Sequence, residues 1–177
     1  PGPGVDFFNV VQESLGNLPI IAEDLGVITP DVVALRDQFG LPGMKILQFA
    51  FSGPDNLFLP HSYPRNCVVY TGTHDNDTTR GWYESAPENE KDFARRYLGS
   101  PESLTSDAFT EKLIRAAWAS VATFALAPLQ DFINLDTKAR MNYPSQLGGN
   151  WEWRMTEDAM SGKLLDRLKE LNCLYQR

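Results

Sequence analysis

The sequence predicts an α/β fold with about four parallel strands, half the number in a (β/α)8 barrel. Three observations support this: short apolar runs alternate with amphipathic segments, two of the runs end in acidic residues, and no repeat or low-complexity tract interrupts the order. Strands separated by helices imply right-handed crossovers and therefore a parallel sheet. Four strands alone leave two unpaired sheet edges, so we expect the N-terminal half of the barrel to be missing from residues 1–177.

The first predicted strand is the short apolar run 19–22, which ends at Glu23. A helix is expected between Thr29, a suitable N-cap, and Gly40, a suitable C-terminal residue, because apolar residues recur between them at helical spacing. A second strand is predicted at residues 44–51.

The remaining elements follow the same alternation. The residues predict a third strand at 67–71, a charged amphipathic helix at 87–98 and a more apolar helix at 111–126. A short strand is predicted at 128–135 and a terminal helix at 164–171. In such a parallel fold the functional residues lie at the carboxyl ends of the strands.

Composition and charge exclude several classes of protein. The net charge of −7 is the wrong sign for binding nucleic acid or an anionic membrane surface. No apolar run approaches the ~18 residues that a membrane span requires. The chain opens on P-G-P-G-V, without an initiator Met or a signal sequence, so we expect it to be part of a longer cytoplasmic protein.

Cysteine usage indicates neither a disulfide framework nor a zinc site. Cys67 and Cys173 are far apart, and no C-x-x-C pair or Cys/His cluster is present. We therefore expect no metal and no cofactor. One alternative stays open, since His and Asp in the H-D-N-D stretch at 74–77 are also ligand types for zinc or manganese.

Two carboxylates are candidates for chemistry. Glu23 ends an apolar strand, where we expect partial burial suited to a general acid; the simpler interpretation is that it only begins a loop. Asp75 lies among polar residues at the tip of the third strand and is expected to stay charged; its simpler interpretation is a self-satisfied turn. Two carboxylates on neighbouring strands are what glycosidic chemistry uses.

Aromatic residues surround these tips and suit the stacking of sugar rings. Core packing is the preferred interpretation for Phe49, Phe51 and Trp118. The choice between core and ligand contact is open for Trp82, Tyr83, Trp151 and Trp153.

Five blocks together resemble the amylomaltases, the 4-α-glucanotransferases of glycoside hydrolase family 77. They occur in the family's order between about residues 3 and 171: I-I-A-E-D-L-G-V-I-T-P, L-P-G-M-K-I-L-Q-F-A-F, F-L-P-H-S-Y-P, Y-T-G-T-H-D-N-D-T-T-R-G-W-Y and A-R-M-N-Y-P…G-N-W-E-W-R. The resemblance implies that residues 1–177 are the C-terminal portion of a catalytic (β/α)8 barrel. It also implies transfer of α-1,4-glucan segments by a retaining double displacement, in the cytoplasm or, in a plant or alga, the plastid.

The resemblance assigns roles to individual residues. Glu23 falls on the family's general acid/base, and Asp75 falls on the carboxylate that grips the hydroxyls of the distorted sugar. His74 belongs to the same subsite, and Asn142 and Asn76 are expected to bind substrate.

One departure from the family pattern is large. The family's nucleophile is an Asp in an R-x-D-H-type motif, and no such motif exists in this sequence; the nearest upstream acid, Asp6, does not match. A smaller departure is the short loop 52–55, where some relatives carry a further acidic residue. The chain is therefore expected to hold the acid/base and the stabilising carboxylate without the nucleophile. A non-catalytic glucan-binding fragment and a metal-dependent hydrolase remain the alternatives.

Overall fold

The computed structural model describes residues 2–177 and contains one parallel sheet. Its strands, in the order β1-β2-β3, are β1 (Gly43–Ile46), β2 (Cys67–Tyr70) and β3 (Phe124–Leu126). The α-helices are α1 (Val5–Leu15), α2 (Pro30–Gln38), α3 (Thr79–Ser85), α4 (Glu88–Tyr97), α5 (Ser106–Ala119), α6 (Leu129–Phe132) and α7 (Gly162–Tyr175). Short 3-10 helices cover Leu47–Ser52, Pro60–Ser62, Thr137–Ala139 and Glu157–Ala159.

Several predicted elements are confirmed. Helix α2 begins directly after Thr29, and Gly40 beyond its end adopts the left-handed conformation, with φ of 63°. Strand β2 and helices α4 and α7 lie where the sequence predicts them, within a few residues at the ends of α7. The parallel direction of the sheet is also as expected.

The predicted strand at 19–22 is wrong. A single backbone bond, from the Ala22 N–H to the Pro42 carbonyl at 2.9 Å, links this segment to the residues before β1. The Met44 N–H of β1 donates instead to the Asp24 carboxylate, at 2.6 Å. A side chain thus occupies the place of a ladder bond, and the described part of the chain has three strands rather than four.

The predicted strand at 44–51 is right only in its first half. After β1 the chain forms the 3-10 helix Leu47–Ser52. Leu47, Ala50 and Phe51 of this helix are buried, at the three- and four-residue spacing of a helical face. An apolar run without polar alternation does not distinguish a buried strand from a buried helical turn.

The helix predicted at 111–126 lies earlier in the chain, as α5. The Thr105 hydroxyl accepts an N–H of its first turn, and the Ser120 hydroxyl donates to a carbonyl of its last turn. Residues 124–126, predicted as helix, form β3, so that part of the prediction is wrong. The strand predicted at 128–135 is also wrong, because this segment contains α6.

The core lies between the sheet and α5. Phe109, Leu113, Ile114 and Ala117 of α5 are completely buried, together with Val69 of β2. Helices α1 and α3 were not anticipated, and α1 buries none of its residues in the structure. Among residues 2–177, no helix has the length and apolar character needed to cross a membrane.

Candidate functional site

A cleft of about 1220 Å³ lies at the carboxyl ends of the three strands. Ile46, Tyr70 and Leu126, the last residues of β1, β2 and β3, all line it. Four of the residues predicted for the site line the same cleft: Glu23, His74, Asp75 and Asn76. The fold therefore brings together two loops that are about fifty residues apart in the sequence.

Glu23 lies in the segment before β1 and is exposed at the cleft. The expected partial burial is therefore wrong, because this segment runs beside the sheet and is not packed within it. Burial raises the pKa of the neighbouring Tyr70, and the charge of Glu23 raises it further. The Tyr70 phenol, which also lines the cleft, consequently stays protonated.

Asp24, the next residue, anchors the segment that carries Glu23. Its carboxylate accepts bonds from Arg36 Nη1 at 2.5 Å and from the Met44 N–H at 2.6 Å, and its side chain is only 8% exposed. Gly43 permits this close approach, since a Cβ at that position would lie 2.3 Å from Asp24 Oδ2. The two adjacent acids thus differ: Asp24 holds the segment, and Glu23 faces the cleft.

A buried carboxylate, Asp131, closes the base of the β2–α3 loop (71–79). Thr71, just after β2, donates to Asp131 Oδ2 at 2.5 Å. Thr79, the first residue of α3, donates its hydroxyl to Oδ2 and its N–H to Oδ1, each at 2.7 Å. Burial raises the pKa of Asp131, and the three donors oppose that rise. Both ends of the loop are therefore attached to one side chain.

We expect Asp131→Ala to lower the free energy of unfolding by about 3 kcal/mol, because three buried donors lose their acceptor. Asp131→Asn should cost much less: its carbonyl oxygen still accepts the Thr79 N–H, and both threonine hydroxyls can turn to accept from its amide. Chemical denaturation of the wild type and both variants measures the two losses. Equal losses for the Ala and Asn variants would contradict the attachment.

The pH dependence of the same comparison tests the charge of Asp131. Its pKa in the folded protein lies above the ordinary value of 3.8, so between the two values the folded state keeps a proton that the unfolded state has released. Stability from this group therefore falls as pH rises through that window. Asp131→Asn lacks the titration, so the wild type's advantage over it should shrink as the pH rises. A difference that stays constant across the window contradicts the assignment.

Two polar side chains of the β2–α3 loop are bonded within the protein. Asn76 Oδ1 accepts the Thr73 N–H at 2.9 Å and the Thr73 hydroxyl at 2.8 Å. The Asp77 carboxylate accepts the Thr78 N–H at 2.7 Å and the Thr137 hydroxyl at 2.8 Å. Asn76 therefore faces the cleft with its carbonyl oxygen already bonded, and both oxygens of Asp77 have partners outside the cleft.

Asp75 is half exposed and lies where the β2–α3 loop meets the segment 139–143. Asn142 Nδ2 donates to Asp75 Oδ1 at 2.6 Å, and His74 Nε2 lies 3.4 Å from the same oxygen. The Asn142 N–H donates to the His74 carbonyl at 3.1 Å. Asn142, which we expected to contact glucan, is thus directed at Asp75 in this structure.

An aromatic surface adjoins His74. The Trp151 ring lies 4.9 Å from the His74 ring, centroid to centroid, and half of the Trp151 surface is exposed. The main-chain N–H of Trp151 donates to the Met141 carbonyl at 2.7 Å. This bond joins Trp151 to the segment that carries Asn142. The G-G-N-W-E-W block therefore lies beside the polar tip of β2.

The other aromatic residues divide between core and cleft. Phe51 and Trp118 are buried as predicted, and Tyr83 is also a core residue, stacked 4.2 Å from Phe109. The core prediction for Phe49 is wrong, because its side chain is 46% exposed and lines the cleft. Trp82 belongs to both places, since it lines the cleft and packs against core aromatics.

The residues that the structure describes contain no group of three His, Cys, Asp or Glu side chains that could hold a metal ion, so the metal hypothesis has no ligand set among them. His74 and Asp75 are close, but Asp77 bonds to Thr137. The second histidine, His61, places Nδ1 3.1 Å from the Tyr97 hydroxyl.

Sequence reasoning missed three residues that shape the site. Asp131 lies in a segment wrongly predicted as a strand. Gln48 Nε2 donates to the Asp77 carbonyl at 2.9 Å, over Gly72, where a Cβ would lie 2.6 Å from that nitrogen. Arg140 lines the cleft, and its only signal in the sequence is its place in the block A-R-M-N-Y-P.

Comparisons with known proteins point to one family. A family model described as 4-alpha-glucanotransferase, glycoside hydrolase family 77, matches residues 1–160. The 4-alpha-glucanotransferase of Thermus thermophilus is 49% identical over 178 residues, which cover 96% of this chain and 35% of the relative. The chloroplastic/amyloplastic enzyme of Arabidopsis thaliana is 46% identical, over 99% of this chain and 31% of the relative.

A solved structure gives the same result. The amylomaltase of Streptococcus agalactiae in complex with acarbose matches with a TM-score of 0.92 and 36% identity, over 100% of this chain and 36% of its own. The chain thus spans about a third of the length of the relatives that it matches. Because the family model covers most of the chain and the structural match covers all of it, the chain belongs to the 4-alpha-glucanotransferases of glycoside hydrolase family 77.

Proposed function

We propose that this chain is the C-terminal part of an enzyme that transfers α-1,4-glucan segments between maltodextrin or starch chains. One observation carries the proposal: Glu23 and Asp75 line one cleft at the carboxyl ends of parallel strands. A glycosidic bond in such a cleft meets one carboxyl group that can exchange a proton and one that can hold the sugar.

Glu23 is the general acid/base of this proposal. It first protonates the leaving glycosidic oxygen and later takes the proton from the 4-hydroxyl of the acceptor sugar. Exposure at the cleft suits both steps, because the carboxyl group must reach a departing and an arriving sugar.

Asp75 is the carboxylate that holds the sugar ring. Its single bond from Asn142 leaves acceptor positions of Asp75 available for sugar hydroxyls, and these bonds tighten as charge develops at the anomeric carbon. His74 and Asn76 offer further polar contacts in the same subsite. In this structure Asn142 donates to Asp75, and any direct contact of its amide with glucan requires the side chain to turn.

The nucleophile of this proposal comes from outside residues 1–177, on the other half of a (β/α)8 barrel. Among the described residues, the carboxylates that line the cleft are Glu23, Asp75 and Asp77, and Asp77 is bonded to Thr137. A retaining mechanism needs a second carboxylate about 5–5.5 Å from the acid/base. Asp6, the nearest upstream acid, lies on α1 and does not line the cleft.

The partner that suits this cleft is an α-1,4-glucan. Phe49, Trp82 and Trp151 present aromatic surface at or beside the cleft, next to carboxylate and amide groups that bond hydroxyls. The complex of the S. agalactiae amylomaltase with acarbose supports such a ligand. The negative net charge gives no basis for nucleic-acid or membrane partners.

We place the protein in the bacterial cytoplasm, or in the plastid if the source is a plant or an alga. Relatives from both kinds of source support this placement: bacterial enzymes and chloroplastic/amyloplastic enzymes match at comparable identity.

Incubation with maltotriose tests the proposal. We expect the longer protein that contains this chain to form glucose and longer maltodextrins, and residues 1–177 alone to form neither, because the nucleophile is absent. Chromatography of the products measures both. Transfer by residues 1–177 alone contradicts the missing nucleophile. Binding of maltodextrin without turnover by the longer protein instead favours a non-catalytic glucan-binding protein.

A further inference from the structure

Arg140 joins the two loops on which Asp75 and Asn142 lie. Its Nη2 donates to the main-chain carbonyl of Asp75 at 2.6 Å, and its Nε donates to the main-chain carbonyl of Asn142 at 2.9 Å. The guanidinium carbon lies 4.5 Å from the centre of the Tyr143 ring. One planar group thus contacts three residues at once.

These contacts determine where the Asp75 carboxylate lies. Asn142 Nδ2 donates to Asp75 Oδ1 at 2.6 Å, and that bond forms only while the segment 139–143 stays docked against the β2–α3 loop. Two further bonds cross between the segment and the loop, from Arg140 Nη2 to the Asp75 carbonyl and from the Asn142 N–H to the His74 carbonyl. The Arg140 Nε bond to the Asn142 carbonyl lies within the segment and fixes the guanidinium there. Arg140 donates to none of the carboxylate oxygens, so its effect on Asp75 is one of position.

We infer that Arg140 is a positioning residue, which docks the Asn142 segment on the β2–α3 loop and so aligns Asp75 for the transition state. The inference rests on the proposed function, because it takes Asp75 as the sugar-holding carboxylate. Lysine cannot replace the arginine. The planar guanidinium donates to two carbonyls in fixed directions and packs its face on the Tyr143 ring, whereas an ammonium group on a flexible stem has no such plane.

The kinetic test uses the full-length protein that contains this chain. We expect Arg140→Ala to lower kcat for maltotriose disproportionation by about 10- to 100-fold with little change in KM, because displacement of a transition-state contact costs rate more than binding. Arg140→Lys should resemble Arg140→Ala. Arg96→Ala is the matched control, an exposed arginine on α4 that pairs with Asp92. A raised KM with unchanged kcat indicates direct contact with glucan and overturns the inference.

A double-mutant cycle tests the route through Asn142. If Arg140 acts by placing Asn142 against Asp75, the losses of activity for Arg140→Ala and Asn142→Ala are not additive. The double variant should then be little less active than the more impaired of the two single variants. If the fold-loss of activity in the double variant equals the product of the two single losses, the two residues act independently, which contradicts the route.

Hydrogen exchange gives a readout that does not depend on activity. Arg140→Ala should speed exchange in peptides that cover 139–145, which include the Asn142 N–H, while Arg96→Ala should not. Faster exchange in a protein that has no transferase activity supports the docking role and counts against the proposed function. Unchanged exchange overturns the docking role. If Arg140→Ala fails to fold, Arg140→Gln, which keeps one donor group, takes its place in both tests.

Discussion

Glu23→Gln should lower transfer from unactivated maltodextrin by about a thousandfold in the full-length protein, yet spare the first step on a maltosyl fluoride. The reason is that a glycosidic oxygen leaves only when it is protonated, whereas fluoride leaves without a proton. Glutamine keeps the size of the side chain, and removes both the proton that the carboxyl group donates and the charge of its ionised form. The variant separates acid catalysis from binding and from folding.

Rapid-mixing kinetics measure this separation. In Glu23→Gln we expect a burst of about one fluoride per enzyme followed by slow turnover, because the second step needs the same residue as a base. Glu102→Gln is the control, since Glu102 is an exposed acid in the loop before α5. Loss of the fluoride burst in proportion to the loss on maltodextrin would remove Glu23 from the acid/base role.

Asp75→Asn should cost about 100- to 1,000-fold in kcat on both kinds of substrate, because its contacts to the ring hydroxyls are needed whatever the leaving group. Asn142 donates to Asp75 Oδ1. An asparagine there keeps this bond only by placing its NH2 group at the position of Oδ2. An acceptor for a sugar hydroxyl therefore becomes a donor.

Steady-state rates on maltotriose and on the fluoride, with Asp55→Asn as an exposed loop control, measure the loss. A variant that is impaired on maltotriose alone shows that Asp75 assists the leaving group and does not hold the ring. Comparison of the two series is informative because the Glu23 variant should release a rapid burst of fluoride in the first step, whereas the Asp75 variant should not.

The sequence predicts much of the site because polar residues at the ends of apolar runs mark the carboxyl edge of a parallel sheet. Glu23 and Asp75 were found in this way, and the resemblance to a known family assigned their roles. Local periodicity also located α2 and α4, each followed by a glycine in the left-handed conformation, and an apolar run located β2.

The misses have physical causes. The segment 19–22 is apolar, but its neighbour Asp24 takes a β1 donor, which only the fold reveals. Phe124 and Leu126 continue an apolar pattern beyond α5, and nothing local marks the change to a strand. Asp131 and Arg140 act through contacts with residues more than fifty positions away, and no spacing rule reports such contacts.

The docking around Arg140 uses main-chain carbonyls as its acceptors, those of His74, Asp75 and Asn142. Every amino acid supplies such a carbonyl, so exchange of the side chains at 75 and 142 removes none of these bonds. The docking of the segment 139–143 and the side chains that carry out the chemistry therefore depend on different residues of the sequence. Substitutions at 75 and 142 should therefore change catalysis without releasing the segment 139–143 from the β2–α3 loop, provided that Arg140 and Tyr143 are kept.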